Sequence, residues 1–452
     1  MIKKTIVSVA IAFTAISLCL HADGLDANSV NPQAGSGLSL AQSIEIALAS
    51  NRQVLIANEG MNYADEKLNE ASARRYPTLS TTASYTRLDG VASIAMPSGP
   101  KTTTVYQMGD ANNSKAELSI KQPLYSGGRI GAGVESALLG RTVQSNQKND
   151  VSKRVIFQVK KSYYDVLLNE AIVNVNRKSE SVSKAHLEDI QKLTSQGQSS
   201  KYELLRAKVQ LTNIQSMRLQ SETTLQSARF IFVNLLGLPL EKADSLTLSD
   251  KFNSPTPDGD NLEYVAKLED AFNNRSDLKM AQLKIDMQKQ SILLAEAEGK
   301  PSLNLTGNFG YEYPSKKEFL TQEAGHYWNT GAMFTFSVFE WGRIKARIRQ
   351  EESLLKQAEI TELDVRERIK LEVKQTVLLA RDARVLVETQ QENIKQAEEG
   401  LRLAEVGYKN GVNTQLEMLD TEMGLDTASK NYVQSLYQYN LAKANLDLVT
   451  GR

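Results

Sequence analysis

Two periods take turns along the chain. From Ser39 the pattern is helical, with apolar positions at Ile44, Leu48, Val54, Ile56 and Leu68. This spacing predicts a helix that runs toward Arg75 and stops before Pro77. Beyond that proline the period shortens to two. Leu79, Thr81, Ala83 and Tyr85 alternate with polar neighbours, and Ala116, Leu118 and Ile120 do so again, which predicts two strands. Helical spacing then returns, and no proline interrupts it from Leu124 to Leu238. The succession starts afresh with a helical stretch from Leu262 to Lys300, ahead of Pro301. Leu303, Leu305, Phe309, Tyr311 and Tyr313 then lie opposite Asn304, Thr306, Asn308 and Glu312. Phe334, Phe336 and Val338 alternate with Thr335 and Ser337, and no proline follows Pro314.

The second passage matches the first at a constant offset. Subtracting 214 carries Gly342-Arg343-Ile344 onto Gly128-Arg129-Ile130, Val373-Lys374 onto Val159-Lys160, Gly411 onto Gly197, Leu419 onto Leu205 and Gly451 onto Gly237. That leaves no room for insertions and identifies a tandem duplication. Ahead of the strands an Asn-Arg pair, Asn51-Arg52 and Asn274-Arg275, matches at 223. Gly128 to Gly197 and Gly342 to Gly411 are 69 residues each, and Gly197 to Gly237 and Gly411 to Gly451 are 40. As helices these would span ~100 and ~60 Å.

Leu363, Ile369, Val373, Val377, Leu401, Leu416, Leu419, Met423 and Leu436 stripe a charged surface, the pattern of long helices packed side by side. The helix of about 36 residues before each strand pair would reach ~55 Å, so it and the return helix, stacked end to end, match the long one. Each half adds two strands. Four strands are too few for a barrel, whose smallest forms have about eight, so the strand edges require oligomerisation.

Composition adds the compartment. Lys plus Arg and Asp plus Glu are 53 each, with no basic run carrying interleaved aromatics, which argues against a nucleic-acid partner. Residues 1–22 hold Lys3 and Lys4, the apolar run Ile6–Leu20 and the small Ala22, the pattern of a cleaved secretory signal. The one cysteine, Cys19, lies within it behind Leu18, where a lipoprotein signal would place a small residue, so a mature chain without thiols is expected. No later run approaches the ~20 apolar residues of a membrane helix. Any membrane span is therefore made of strands. Their length and their aromatic faces opposite Asn, Thr and Ser fit an outer-membrane barrel, a soluble hairpin with one buried face being the alternative. Residues 23–37 read as a draped polar segment, and Arg87–Lys115 and Ser315–Tyr327 as exposed loops. Residues 241–261, with Pro255 and Pro257, link a first repeat at 23–240 to a second at 262–452.

The strand-to-helix junctions Gln122-Pro123-Leu124-Tyr125-Ser126-Gly127-Gly128-Arg129 and Ser337-Val338-Phe339-Glu340-Trp341-Gly342-Arg343 carry a resemblance. So do the helix turns Gly197-Gln198-Ser199-Ser200 and Gly411-Val412-Asn413-Thr414. With the duplication, these motifs resemble the TolC-like outer membrane factor family over nearly the whole chain. The resemblance implies a mainly α fold with a β-barrel part: a homotrimer whose 12-stranded barrel sits in outer-membrane lipid and continues into an α-helical tunnel across the periplasm of a Gram-negative bacterium. It implies a passive exit duct of a tripartite efflux pump or type I secretion system, fed by an inner-membrane pump and a periplasmic adaptor that docks on the two tips. It also places Glu417 and Asp420, three apart on one helix face, at a narrow periplasmic mouth as rings of carboxylates. Helix-start electrostatics alone would account for one such acid. Glu203 follows Gly197 by six residues as Glu417 follows Gly411, and is expected to accept a hydrogen bond from Tyr408 of a neighbouring helix. Family members often carry tails beyond the second repeat, so a reduced equatorial region is expected here.

Other chemistries find no foothold. Gly127, Gly128, Gly131 and Gly133 lie between strand and helix, but Ser136 stands where a dinucleotide loop needs its third glycine. With Pro123, Trp341 and Gly342 they read as tight junctions. His21, His186 and His326 have no metal spacing, and no nucleophile-elbow sequence occurs. No enzyme, cofactor or metal is expected. The competing class is a secreted or periplasmic coiled-coil scaffold without a channel.

Overall fold

The computed structural model describes residues 37–107, 109–255, 262–315 and 323–452. The expected signal at 1–22, nearly all of the draped segment, and parts of the link and of the second loop lie outside them. Ser39 and Gln42 form a capping box that starts α1 (Leu40–Ser50). The single helix expected here is broken. Asn51, at φ −67° and ψ 128°, leaves helical geometry and caps α2 (Arg52–Ala73) by accepting from the Gln53 N–H at 2.8 Å. In the second repeat α5 (Tyr264–Asn274) and α6 (Ser276–Ala297) break at Arg275. The paired bounds 40 and 264, 52 and 276, 73 and 297 all differ by 224. The Asn-Arg match at 223 is therefore corrected: Arg275 occupies the place of Asn51.

Two strands per repeat form one antiparallel sheet in the order β1 (Thr78–Arg87), β4 (Asn112–Tyr125), β5 (Ser302–Tyr313), β6 (Gly325–Thr335). The first expected loop instead folds back as a hairpin of β2 (Ser93–Gly99) and β3 (Thr102–Gln107), favoured by the β-branched run Thr102-Thr103-Thr104-Val105. Strand β6 begins inside the second expected loop, because Tyr311 pairs with His326 and Phe309 with Trp328. It ends at Thr335, leaving Phe336 and Val338 in the connection to the next helix. Across the sheet, Thr81, Leu118, Phe309 and Trp328 make one row. The next row, Ser80, Ser119, Asn308 and Asn329, faces the other way, with Asn308 Nδ2 donating to Asn329 Oδ1 at 2.8 Å. One face is thus apolar and aromatic, the other polar, and β1 and β6 are open edges.

Each repeat then sends out a helix of 67 residues, α3 (Arg129–Ser195) and α7 (Arg343–Lys409), and returns through α4 (Lys201–Leu235) or α8 (Gln415–Thr450). All four end in the same way. At the tip of α3 the Gln198 N–H reaches Leu193 O at 2.8 Å and the Gly197 N–H reaches Thr194 O at 3.1 Å. At α7 Val412 reaches Gly407 O at 2.8 Å and Gly411 reaches Tyr408 O at 3.1 Å. Gly197 and Gly411 supply the left-handed residue that this termination needs, at φ 74° and 71°. Helix α3 packs against α4 and α8, and α7 against α8.

The expected single apolar stripe divides into two faces. Ile369, Val373, Val377, Leu419 and Leu436 are buried, whereas Leu363, Leu416 and Met423 are exposed, as are Leu205 and Val209 on α4. One core gathers Val155, Val159 and Tyr163 of α3 with Ile46, Val54 and Phe232, and a second gathers Ile369 and Val373 with Leu278 and Leu446. The link crosses the first core at Asp250, which accepts from the Leu40 N–H at 2.7 Å and from Tyr163 Oη at 3.2 Å, and then reaches α8 of the second repeat, where Asn440 Nδ2 donates to Asn253 O at 2.9 Å.

Candidate functional site: tips, seam and junctions

Sequence places the candidate residues at two ends of the rod. At the tip, Ser200 begins α4 with a capping box, its Oγ accepting from the Glu203 N–H at 3.2 Å while Glu203 Oε2 accepts from the Ser200 N–H at 3.0 Å and from Ser199 Oγ at 2.6 Å. Those bonds, that of Ser199 foremost, hold the Glu203 carboxyl below its ordinary pKa. Thr414 and Glu417 repeat the box at α8, with Glu417 Oε2 accepting from the Thr414 N–H at 2.8 Å. Glu417 and Asp420 are both exposed.

The expected bond between Glu203 and Tyr408 is not among those of the described residues. Glu203 is engaged by its own helix start, and the Tyr408 ring instead meets His186 edge-on at 6.1 Å. Burial first, then the Glu203 charge, raises the Tyr408 pKa. Gln198 and Val412 are exposed at the two turns, and Asn413 lies beside Gly407. These tips present short polar turns on rigid helix pairs.

At the other end Pro123 sits in β4 beside a register irregularity, where a missing N–H is tolerated. Gly127 and Gly128 follow at φ 65° and 94°. A Cβ on Gly127 would lie 2.7 Å from Lys300 Cβ, just beyond the end of α6, so close approach as well as φ requires glycine there. In the second junction Gly342 matches Gly128 at φ 82°, but Trp341 stands where Gly127 does, at φ 48° and 90 % exposed.

Sequence reasoning missed the seam between α3 and α8. Gln415 Nε2 lies 3.1 Å from His186 Nε2, both buried, and Ser179 Oγ donates to Asp426 Oδ1 at 2.8 Å. Glu422 is buried there as well. Its signal was its spacing, since the buried stripe through Gln415, Met418 and Leu419 continues onto Glu422. Among the described residues no group of three or more His, Cys, Asp or Glu could hold a metal ion, and no helix is long and apolar enough to cross a membrane.

The geometry has close counterparts. The crystal structure of the outer membrane protein VceC from Vibrio cholerae superposes with a TM-score of 0.74 at 17 % identity, covering 91 % of this chain and 96 % of that one. The proteases secretion protein PrtF of Dickeya chrysanthemi is 20 % identical over 433 residues, 94 % of this chain and 90 % of its own. The outer membrane efflux protein BepC of Brucella suis is 23 % identical over 199 residues, 44 % of this chain and 41 % of that protein. The model of the outer membrane efflux protein family matches residues 43–238 and 268–452, one match in each repeat. The chain belongs to the outer membrane efflux protein family, and it is an outer-membrane channel protein of the TolC-like type.

Proposed function

We propose that three copies of this chain close one duct, which carries substrate passively from an inner-membrane pump and a periplasmic adaptor to the outside. The observation that carries this reading is the four-stranded sheet, apolar on one face, polar on the other, and open at β1 and β6. Three such sheets joined edge to edge leave no unpaired strand and turn the aromatic row of Phe309 and Trp328 to lipid. The bare apolar faces of α4 and α7 support the same joining below the membrane, because Leu205, Val209, Leu363 and Leu371 are exposed on the flanks of one copy. In this reading Gly197-Gln198-Ser199-Ser200 and Gly411-Val412-Asn413-Thr414 meet the adaptor, and Glu417 and Asp420 ring the mouth.

Carboxylate rings attract cations at a constriction. Planar-bilayer recordings test the assignment: the wild type is expected to be cation-selective, and the Glu417→Ala, Asp420→Ala double variant to lose much of that preference. Unchanged selectivity would leave the two acids only their helix-start roles.

A further inference from the structure

The seam between α3 and α8 is where the two helical hairpins meet without a covalent turn. Toward the tip it is held by the contacts of Gln415 with His186 and of Ser179 with Asp426. Between these two contacts sits Glu422, on the order of 10 Å up α8 from its start. Its relative exposure is 7 %, and neither carboxyl oxygen has a hydrogen-bond partner. It lines a cleft of about 400 Å³ between α3, α4 and α8.

The cleft offers Glu422 no countercharge. Asn176 and Ser179 of α3 and Gln210 and Asn213 of α4 are neutral. On α8 itself Lys430 is taken by Asp426 at 2.7 Å, and from α7 the nearby charge is the like-signed Glu405. A buried carboxylate so placed is costly, whereas a buried neutral carboxyl is far less so.

We propose that Glu422 is a proton-binding latch on this seam: with its proton it lets α8 lie closed on α3, and as a carboxylate it drives the two hairpins apart toward an open mouth. The latch rests on the reading of the tips as the mouth of a duct. Burial, then the charges of Asp426 and Glu405, push the Glu422 pKa up from 4.5 to about 7. The closed seam therefore binds this proton more tightly than the parted one. Closing carries no ionisation penalty below about pH 4.5, loses ground as pH rises from there, and meets the full penalty above about 7.

His186 acts in the opposite sense. Burial lowers its pKa, partly offset by Asp189, so its protonation opposes closing as pH falls below 6.5. The Tyr408 hydroxyl beside it stays neutral throughout this range, its pKa being raised. Because the two groups offset one another in acid, the wild-type pH profile alone is a poor readout. The comparison with Glu422→Gln isolates the latch, since His186 is common to both.

Planar-bilayer conductance of the full chain, wild type and Glu422→Gln, at pH 5 and pH 8 provides the test. At pH 5, where the parted seam has only begun to lose this proton, the two are expected to agree within a few fold. At pH 8 the wild type is expected to show an open-to-closed ratio at least about tenfold higher than the variant, one pKa unit of linkage being one decade. An equal ratio at both pH values, with normal pores in both, overturns the latch and leaves the duct intact. Pores from neither protein would overturn the duct reading and the latch with it. If Glu422→Gln does not assemble, Glu422→Met takes its place with the same expected closure at pH 8. Failure of both to assemble would make the carboxyl a packing requirement and overturn the latch.

Discussion

Asn51 in the first repeat and Arg275 in the second stand at one position, the break ahead of the strands, and both reach the same carbonyl. Asn51 Nδ2 donates to Leu235 O at 2.8 Å and Arg275 Nη1 to Val449 O at 3.3 Å, and 235 plus the repeat offset of 214 is 449. Beside them Gly237 and Gly451 let the return helix end against that break: a Cβ would sit 2.5 Å from Ser50 O in one repeat and 2.9 Å from the Asn274 carbonyl carbon in the other. The backbone arrangement is duplicated and the chemistry is not. Asn51 uses one neutral amide, whereas Arg275 adds Asp277 at 2.7 Å and Glu372 at 2.6 Å. What must be kept is a donor at the end of the return helix, where the last carbonyls lack partners.

The cores differ for a related reason. Val155, Val159 and Tyr163 correspond to Ile369, Val373 and Val377 at the same offset, and all six are buried. Only Tyr163 carries a hydroxyl, and it bonds Leu38 O at 3.1 Å and Asp250. Those partners, Leu38 and Asp250, come from the start of the described chain and from the link. The asymmetry of the core follows from where the link runs.

The largest test of the comparison lies in the sheet. Phe309 and Thr81 share one row, so they stand at one height, but the second repeat carries the aromatic. Phe309→Lys is expected to cost about 2–4 kcal/mol in folding into bilayers, as for a lipid-facing cation near the midplane. Thr81→Lys should cost less, because a polar residue is replaced. Titrated unfolding from vesicles measures both. Should Asn308→Lys, on the opposite face, prove worse than Phe309→Lys, the faces are reversed.

The break comes next. Arg275→Ala leaves Asp277 half-enclosed with only the more distant Arg368, at 3.9 Å, as its cation. Burial alone would raise the Asp277 pKa, but hydrogen bonds and charge from Arg275 more than offset it and hold it below 3.8. The lost stability is expected to be about 2–3 kcal/mol, less than for a fully enclosed pair. Asn51→Ala should cost about 1 kcal/mol. Because the folded pKa is depressed, the Asp277 contribution is present above about pH 3.8 and lost as pH falls further. Denaturant titrations of wild type and Arg275→Ala should therefore converge in acid.

Much of this architecture was legible in the residues because long helices and strands write their period into the chain. The equal lengths of α3 and α7 follow from glycines at a fixed offset, and the strands from alternation around Phe309. The break at Asn51 was not legible, since Asn-Arg recurs one residue out of register and helical spacing continues on both sides. The β2–β3 hairpin was hidden by its polar composition. Tip residues were legible as turn chemistry, but the bond assigned to Glu203 was not, because a capping box and an interhelical bond compete for the same carboxylate. Glu422 stands in a charged helix, and only its place on the buried stripe of α8 distinguishes it from a surface acid.

The junctions offer a smaller test. Gly127 and Trp341 share a left-handed backbone, but only Gly127 is crowded by Lys300. Gly127→Ala is expected to cost about 2 kcal/mol, combining an unfavourable φ with the contact. Trp341→Gly relieves the same φ but gives up the edge-on contact of the indole with Phe339 at 4.9 Å, so its net effect should stay within about 1 kcal/mol of zero. A loss well beyond that for Trp341→Gly in the assembled protein would mean that the exposed indole is also packed by another copy or by lipid. The comparison would then pass from one chain to the assembly.

The smallest expected effect separates the two tips. Ser200 and Thr414 make the same capping bond, 3.2 Å to the N–H of Glu203 or Glu417, so Ser200→Ala and Thr414→Ala should each cost about 1 kcal/mol. The glutamates differ. Glu203 also accepts from Ser199 Oγ, and Asn413, at the matching position, lies beside Gly407 instead. Ser199→Ala should therefore weaken the first tip by about 0.5–1 kcal/mol, while Asn413→Ala leaves the Glu417 box intact. The Glu203 pKa is depressed, so the Ser199 increment is present at neutral pH and fades as pH falls below 4.5. Amide exchange at the start of α4 reads it directly. If Ser199→Ala leaves exchange there unchanged at pH 7, the extra hydroxyl stabilises nothing, and the two tips are equivalent in strength despite their different residues.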